Sequence, residues 1–425
     1  MDRLVHDTAL PGALPHPAVR SRERQGVFYT AAEWTPAALT RLVDHLASAG
    51  SAALAALPSG ALRHAWRGAI AALLDPASRE RRALETSLPR LSGLSPAGTA
   101  AALRTVLGGV AGAAADAIFD NARGRGGGGL VTVVLASNLP ALVVQPLLPA
   151  LALGRPVLVK SASAEPLFAP ALVRALVERE PRLADALAAI TWPGGDRKLE
   201  APVLVRSATV VAYGDAATLD DLGRRVSGRL VAYGPKTSVA IVSAEVHPER
   251  VARELARDVA LFDQRGCLSP QAVYTTGSGE ALAVALAGEL AAVERDLPPG
   301  PMRAEELAAV QQLRAEADLR GLFRPALPPQ AGTVVVEPLP AFRLGPGLRT
   351  VRVHPVAGLE EVPGHLEAWR GRLQGAALAG RAWELADALR ELGLTRCAAP
   401  GALQAPDAAW HNGGIHPVEL LAPSS

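Results

Sequence analysis

Residues 130–160 read LVTVVLASNLPALVVQPLLPALALGRPVLVK, and two readings compete for them. No charged side chain falls between Leu130 and Leu153, a run long enough for a helix to cross the ~30 Å core of a bilayer. Asn138, Gln145, Pro140, Pro146 and Pro149 would put polar side chains and missing amide donors into lipid, where nothing satisfies them. The β-branched LVTVVLA, the turn residues SNLP, the Leu/Ala run and PVLVK spell buried strand, turn, helix and buried strand instead. Pro140 suits the first position of that helix. A strand buried on both faces of a parallel sheet is apolar throughout, so the expectation is a β-α-β unit and no membrane span.

The pattern continues downstream. LAAITW, ATVVAY (208–213), RLVAY and SVAIV (238–242) alternate with helical stretches, which predicts right-handed crossovers and a parallel, Rossmann-like sheet over residues 126–245. A second α/β unit, 246–400, follows from helix HPERVARELARDVALFD, the turn and strand QRGCLSPQAVYTT, helix AEELAAVQQLRAEADLR and strands TVVVEP and LRTVRVHPV. Residues 1–125 are mainly helical in pattern, and 401–425 form a turn-rich segment expected to pack back on the body. Gly124, Gly126 and Gly129 satisfy the spacing G-x-G-x-x-G, but a dinucleotide fingerprint follows a strand and opens a helix. Here the glycines follow a helical stretch and precede a strand, so they read as a linker.

Composition narrows the function classes. The chain has 425 residues, 49% hydrophobic and 20% charged, with a net charge of +2. That is too long for one ~100–200-residue domain, too apolar for a disordered chain and too evenly charged for a nucleic-acid groove. Two cysteines, Cys267 and Cys397, build neither a disulfide framework nor a cysteine zinc site,, and no metal ligand set is expected. The start MDRLVHDTALPGALPHP lacks the basic and apolar regions of a signal peptide, so a cytoplasmic location is expected. Only Lys160, Lys198 and Lys236 among the 43 basic residues are lysines, which reads as coding bias and makes each surviving Lys worth weighing.

Four side chains stand where chemistry is possible. Cys267 follows Gly266 between a helix and a strand with Arg265 beside it, a setting that can expose a thiol and favour its thiolate. The plainer reading is a small buried hydrophobe. Asn138 ends the first strand, where open α/β sheets bind ligands and an amide can donate to an oxyanion, or where it simply caps a helix. Lys160 ends the second strand and Lys236 follows a Gly-Pro turn; an ammonium at a strand's carboxyl end can hold ribose hydroxyls or phosphate, or lie solvated.

In joint order, ASNLPALVVQPLLPALALGRPVLVKSAS, TWPGGD, ATVVAYGD, YGPKTSVAIV and QRGCLSPQAVY resemble the aldehyde dehydrogenase superfamily. With the C-terminal LRELGLTRCAAPGALQAPDAAWHNGGIHPVELL, the chain resembles within it the acyl-CoA reductases of the LuxC family. The resemblance covers residues 130 to 425. It implies an aldehyde dehydrogenase-like α/β fold with a Rossmann-like cofactor domain, an α/β catalytic domain and a helical N-terminal region. It also implies Cys267 as nucleophile, Asn138 as oxyanion donor with the Cys267 N–H, and Lys160, Ser163, Gly194, Gly214 and Asp215 at the cofactor.

The departures are informative. Hydrolytic aldehyde dehydrogenases carry a Glu that activates water where this chain has Ala232, which suits an acyl-enzyme that must survive until hydride arrives. NAD-preferring relatives often place a Glu three residues after the cofactor Lys. Ser163 stands there instead and can accept a 2′-phosphate, so NADPH is expected over NADH, with Glu165 near enough in sequence to reach in. The family's C-terminal His-Asp-Gly-Arg-His-Pro is replaced by His411, Asn412, Gly413, Gly414, Ile415, His416 and Pro417, which implies altered specificity or activity. The expected reaction is reduction of an acyl-CoA, of fatty acyl type, to the aldehyde through S-acyl-Cys267. The alternatives are a donor chain on a carrier protein or acyl-transferring partner enzyme, and a catalytically idle partner-binding subunit. A homo-oligomer is expected by resemblance; His354 and His411 are weaker candidates for proton transfer.

Overall fold

The computed structural model describes residues 5–136, 139–328 and 331–423. It divides into two units, Met1–Ser92 with Leu103–Gly234 and Asp407–Ser425, and Gly93–Ala102 with Pro235–Pro406.

The first unit opens with a small sheet, β1 (Val5–His6), β2 (Val19–Arg24) and β3 (Val27–Ala32), in the order β1-β3-β2, which the helical reading of the N-terminal region did not include. Helices such as Pro36–His45 and Ala61–Leu74 follow. Thr35 caps the first through its hydroxyl, and the second buries Ala65, Trp66, Ala69, Ile70 and Leu73 along one face, the spacing of an amphipathic helix.

The main sheet comprises β4 (Val131–Val134), β5 (Val157–Lys160), β6 (Leu187–Ile190), β7 (Thr209–Tyr213) and β8 (Arg229–Tyr233), all parallel, in the order β6-β5-β4-β7-β8. This is the 3-2-1-4-5 order of a dinucleotide-binding half, with its switch point between β4 and β7. The apolar run 130–153 resolves into β4 and a nine-residue helix, Val144–Ala152. That helix starts at Val144 and not at Pro140, because Ala141 is left-handed (φ 62°) and interrupts the turn before it. No single helix among the described residues is long and apolar enough to cross a membrane.

The glycines after residue 123 do follow a helix, Gly112–Asn121, and precede β4. They are pinned in place: Gly127 N–H donates to Leu153 O (3.0 Å), and the Arg155 guanidinium donates to Gly129 O, Thr209 Oγ1 and the Leu421 carbonyl. Burial pushes Arg155 down to about 10. Its last bond ties down the C-terminal helix Pro417–Leu421, whose Val418 and Leu421 enter the same core as the N-terminal helices and β4. The chain therefore runs through residues 125–126 without leaving this unit.

The second unit holds a six-stranded parallel sheet: β9 (Thr237–Val242), β10 (Pro270–Thr275), β11 (Thr333–Val336), β12 (Thr350–Pro355), β13 (Leu373–Ala379) and β14 (Arg396–Ala398), ordered β11-β12-β10-β9-β13-β14. Two differences from the sequence reading stand out. SVAIV, read as the last strand of the Rossmann-like sheet, is β9, which pairs with β10 and β13. β13, LQGAALA, has no counterpart in that reading, yet it is buried at every position.

Candidate active site

In the first unit the carboxyl ends of β4, β5, β6 and β7 converge on the switch point, the place where such sheets bind ligands. Asn138, expected there as oxyanion donor, lies outside the described residues. Lys160 ends β5 at 7% exposure, so it is not a solvated strand-end lysine. Its ammonium stands 5.8 Å from the Trp192 ring. Burial lowers its pKa, and the Glu200 carboxylate opposes that shift. Glu200 itself is engaged by the Gly195 N–H (3.1 Å) and the Arg225 guanidinium (2.7 Å).

Ser163 Oγ donates to the Trp192 carbonyl at 3.4 Å. Glu165 is otherwise employed: one carboxylate oxygen accepts from the Leu167 and Phe168 N–H groups, both at 2.9 Å, at the start of helix Phe168–Arg179. Asp215 accepts from Thr218 N–H (2.8 Å) and caps helix Ala216–Gly223, so its carboxylate has a structural role. Gly214 N–H donates to the Tyr233 carbonyl (3.2 Å), and a Cβ at Gly194 would face open space. A buried ammonium at the carboxyl edge of this sheet fits the hydroxyls and phosphates of a dinucleotide.

The same unit contains an apolar pocket with about 510 Å³ of space, its open mouth included, walled by Pro146 and Pro149, the β7 and β8 ends, Trp410 and Leu420. Tyr213 and Tyr233 stack in its wall with centroids 4.8 Å apart, and Tyr233 Oη donates to the Asn412 carbonyl (3.3 Å). Composition and spacing gave no sign of this pocket, because its walls come from segments far apart in sequence.

In the second unit, Cys267 lies in a loop between helix Pro248–Ala260 and β10. Phe262, Asp263 and Gln264 are all left-handed, with φ of 60°, 49° and 60°, a conformation that costs ~1–2 kcal/mol per residue outside glycine. Partners hold the strain. Asp263 takes two bonds from Arg349 (3.0 and 2.7 Å) and one from the Gly300 N–H (2.8 Å). A Cβ at Gly300 would sit 2.1 Å from the Gly93 carbonyl oxygen, so no larger residue fits there. Gln264 donates to the Pro270 and Thr350 carbonyls (2.6 and 2.7 Å) and accepts from Thr350 N–H (2.7 Å). Arg349, Asp263 and Gln264 are 1%, 4% and 3% exposed.

The thiol's surroundings correct one expectation. Arg265 does not serve it: its guanidinium pairs with Glu306 at 3.4 Å. The cation that acts on the sulfur is Lys236, which immediately precedes β9. Burial nevertheless pushes the thiol up to about 11, against the pull of the Cys267 N–H, the Lys236 ammonium and the Leu268 N–H. Desolvation penalises the anion more than these groups favour it. The resting group is a thiol, so its alkylation by iodoacetamide is expected to rise about tenfold per pH unit from pH 7 to 9 and to plateau only above pH 10; stopped-quench mass spectrometry reads this, and a plateau below pH 8 would contradict it. Ser238 Oγ donates to the Cys267 carbonyl (2.8 Å) and fixes the loop to β9. The sequence carried a hint of Lys236 in the scarcity of lysine, but none of the Ser238 bond.

The histidines have structural partners. His354 is fully buried, its Nδ1 bonded to the Leu339 carbonyl (2.8 Å) and its ring stacked on Tyr274, and burial holds its pKa down. His416 Nδ1 accepts from Val418 N–H at the C-terminal helix, and His411 packs edge-on against it.

The model of the acyl-CoA reductase (LuxC) family matches residues 115–423. The long-chain acyl-protein thioester reductase of Aliivibrio fischeri is 27% identical over 240 residues, covering 55% of this chain and 50% of that protein. Its namesake from Vibrio harveyi is 24% identical over 241 residues, with 55% and 50% covered. The chain thus spans about half the length of the curated relatives it matches. Among solved structures, an NAD-dependent benzaldehyde dehydrogenase from Corynebacterium glutamicum superposes with a TM-score of 0.76 at 13% identity, over 97% of this chain and 96% of that one. An indole-3-acetaldehyde dehydrogenase complexed with NAD⁺ gives 0.72 at 15% identity, over 98% and 92%. These likenesses show an aldehyde dehydrogenase fold.

Proposed function

Since the chain belongs to the acyl-CoA reductase (LuxC) family, we propose that it reduces an acyl thioester to an aldehyde through an S-acyl intermediate on Cys267. The observation that carries this reading is the rigid, strained loop that holds a half-buried thiol beside the Lys236 cation. A cysteine kept only for packing needs neither.

Attack by the Cys267 sulfur on the thioester carbonyl expels the donor thiol and leaves the acyl group on the enzyme. Lys236 favours the thiolate as it forms, and the Cys267 N–H with Asn138 supplies the oxyanion donors. Ala232 brings no carboxylate to the end of β8, so the chain offers no base there to hydrolyse the acyl-enzyme. Lys160 and the loops after β5, β6 and β7 would hold a nicotinamide dinucleotide, whose chemistry when bound would be hydride donation, reducing the acyl group to the aldehyde and freeing the Cys267 thiol. The names of the curated relatives favour a protein-borne acyl donor over free acyl-CoA. Comparing aldehyde release from decanoyl-CoA and decanoyl-acyl carrier protein tests this: a higher kcat/KM for the carrier form supports it, and no aldehyde from either refutes the reaction.

NADPH is the proposed cofactor. Glu165 is occupied at a helix start, and the position three residues after Lys160, where a carboxylate would repel a 2′-phosphate, holds Ser163. Ser163→Glu is expected to shift the NADPH/NADH ratio of kcat/KM at least about tenfold towards NADH, ~1.4 kcal/mol. An unchanged ratio would place the 2′-phosphate elsewhere.

A further inference from the structure

A side chain from the turn after β14 holds both ends of the loop that carries Cys267. Gln404 is 5% exposed. Its amide nitrogen has two N–H groups and three acceptors: one is the Asp258 carbonyl (2.6 Å), where helix Pro248–Ala260 runs into the loop, with the Leu261 carbonyl (3.1 Å) a weaker acceptor sharing a hydrogen,. It also donates to Ser269 Oγ (2.6 Å), two residues beyond the sulfur. Helix-end carbonyls lack intrahelical donors, so the first two bonds meet a need of the helix. The third serves the loop: Ser269 is fully buried, and its N–H closes a turn on the Gly266 carbonyl (3.0 Å) around Cys267.

The turn that presents Gln404 is itself gripped from two sides. The Asp258 carboxylate accepts from Gly401 N–H (2.7 Å), and the Arg396 guanidinium donates to the carbonyls of Ala402 (2.7 Å), Leu403 (2.9 Å) and Ala405 (3.1 Å). A buried carboxyl, whose pKa burial pushes up to about 7, thus takes the turn's N–H, and a guanidinium its carbonyls. A buried amide with fixed acceptors holds them more strictly than any apolar filler, which would leave a hydroxyl and two carbonyls unpaired.

We propose that Gln404 is a positioning residue for Cys267, tying the entry and exit of the nucleophile loop together so that the sulfur and the Cys267 N–H keep their register for attack on the acyl carbonyl. This rests on the reading of Cys267 as the acylated residue. The active thiol is therefore set from two directions, by Ser238 of β9 on the Cys267 carbonyl and by Gln404 across the loop.

The test uses the full chain in a Cys397→Ser background, so that a single cysteine reports. Two rates are measured at pH 8: alkylation of Cys267 by iodoacetamide, and acylation by decanoyl-CoA or decanoyl-acyl carrier protein, with the KM for NADPH as control. Gln404→Leu and Ser269→Ala are each expected to slow acylation about 10- to 100-fold and to alter alkylation at least threefold, with KM for NADPH unmoved. The double variant should be no slower than the slower single one, because both remove one bond, and Ser269→Thr should restore the rate. Ser269→Ala leaves the helix-end bonds intact and decides the matter if Gln404→Leu does not fold. Multiplying effects in the double variant, or rates within twofold of the parent in Ser269→Ala, would overturn the proposal. Alkylation needs no acyl donor. If the parent takes up no acyl group while its alkylation responds as described, the acyl-enzyme reading fails and the positioning role stands.

Discussion

Replacing Cys267 by Ala should lower thioester-dependent aldehyde formation by at least about a thousandfold, because the loop's other hydroxyl, Ser269, is fully buried and held by Gln404,. Cys267→Ser should fare little better, since a hydroxyl is a far weaker acid than even a thiol pushed up to about 11,. Both proteins should keep their fold: the residue is half-buried, and the loop is held by Asp263, Gln264, Ser238 and Gln404 through bonds that do not involve the sulfur. NADPH binding should survive as well, because Lys160 and Ser163 belong to the other unit. Progress curves of aldehyde release alongside cofactor titration read both quantities. Retention of more than a tenth of the activity in Cys267→Ala would remove the residue from the chemistry.

The second large effect falls on stability. Arg349→Met removes the guanidinium from a buried carboxylate whose remaining hydrogen bond, among the described residues, comes from the Gly300 N–H. Breaking a buried pair from one side costs ~3–5 kcal/mol because the remaining charge has no counterpart. For a unit of this size that is a drop of roughly 10 °C or more in Tm. Removing the charge from both sides, in Asp263→Asn with Arg349→Met, should cost less than Arg349→Met alone, since no bare carboxylate is left. Thermal denaturation of the three proteins separates these cases. Equal Tm values for Arg349→Met and the parent would show that the left-handed strap keeps its shape without the pair.

The legibility of this fold in the sequence follows physical lines. β4 and β5 are β-branched and buried on both faces, and their pattern reached through the turn between them, so the parallel sheet was readable from residues 130–160. β13 was not, because Leu-Gln-Gly-Ala-Ala-Leu-Ala is rich in weak strand formers and takes its place only because neighbours on both sides pair with it. β9 was read as a strand but given to the wrong sheet, since periodicity states that a strand exists and not which partner it chooses. Cys267 and Lys160 were legible as residues. Their environment was not: Arg265, two residues before the cysteine, turns to Glu306, while Lys236, 31 residues before it, is the cation that acts on the sulfur. Asp263 with Arg349 and Gln404 with Ser269 join positions too far apart for any local pattern to mark. Glu165 could have been read either way, and only its two bonds at a helix start decide its role.

The measurement that bears most directly on the central claim is intact-protein and peptide mass spectrometry after incubation with decanoyl thioesters, of CoA and of acyl carrier protein, in the absence of any dinucleotide. A decanoyl group found on Cys267, absent in Cys267→Ala and discharged as decanal when NADPH is added, is the predicted result. No adduct from either donor, or an adduct that persists in Cys267→Ala, would contradict it.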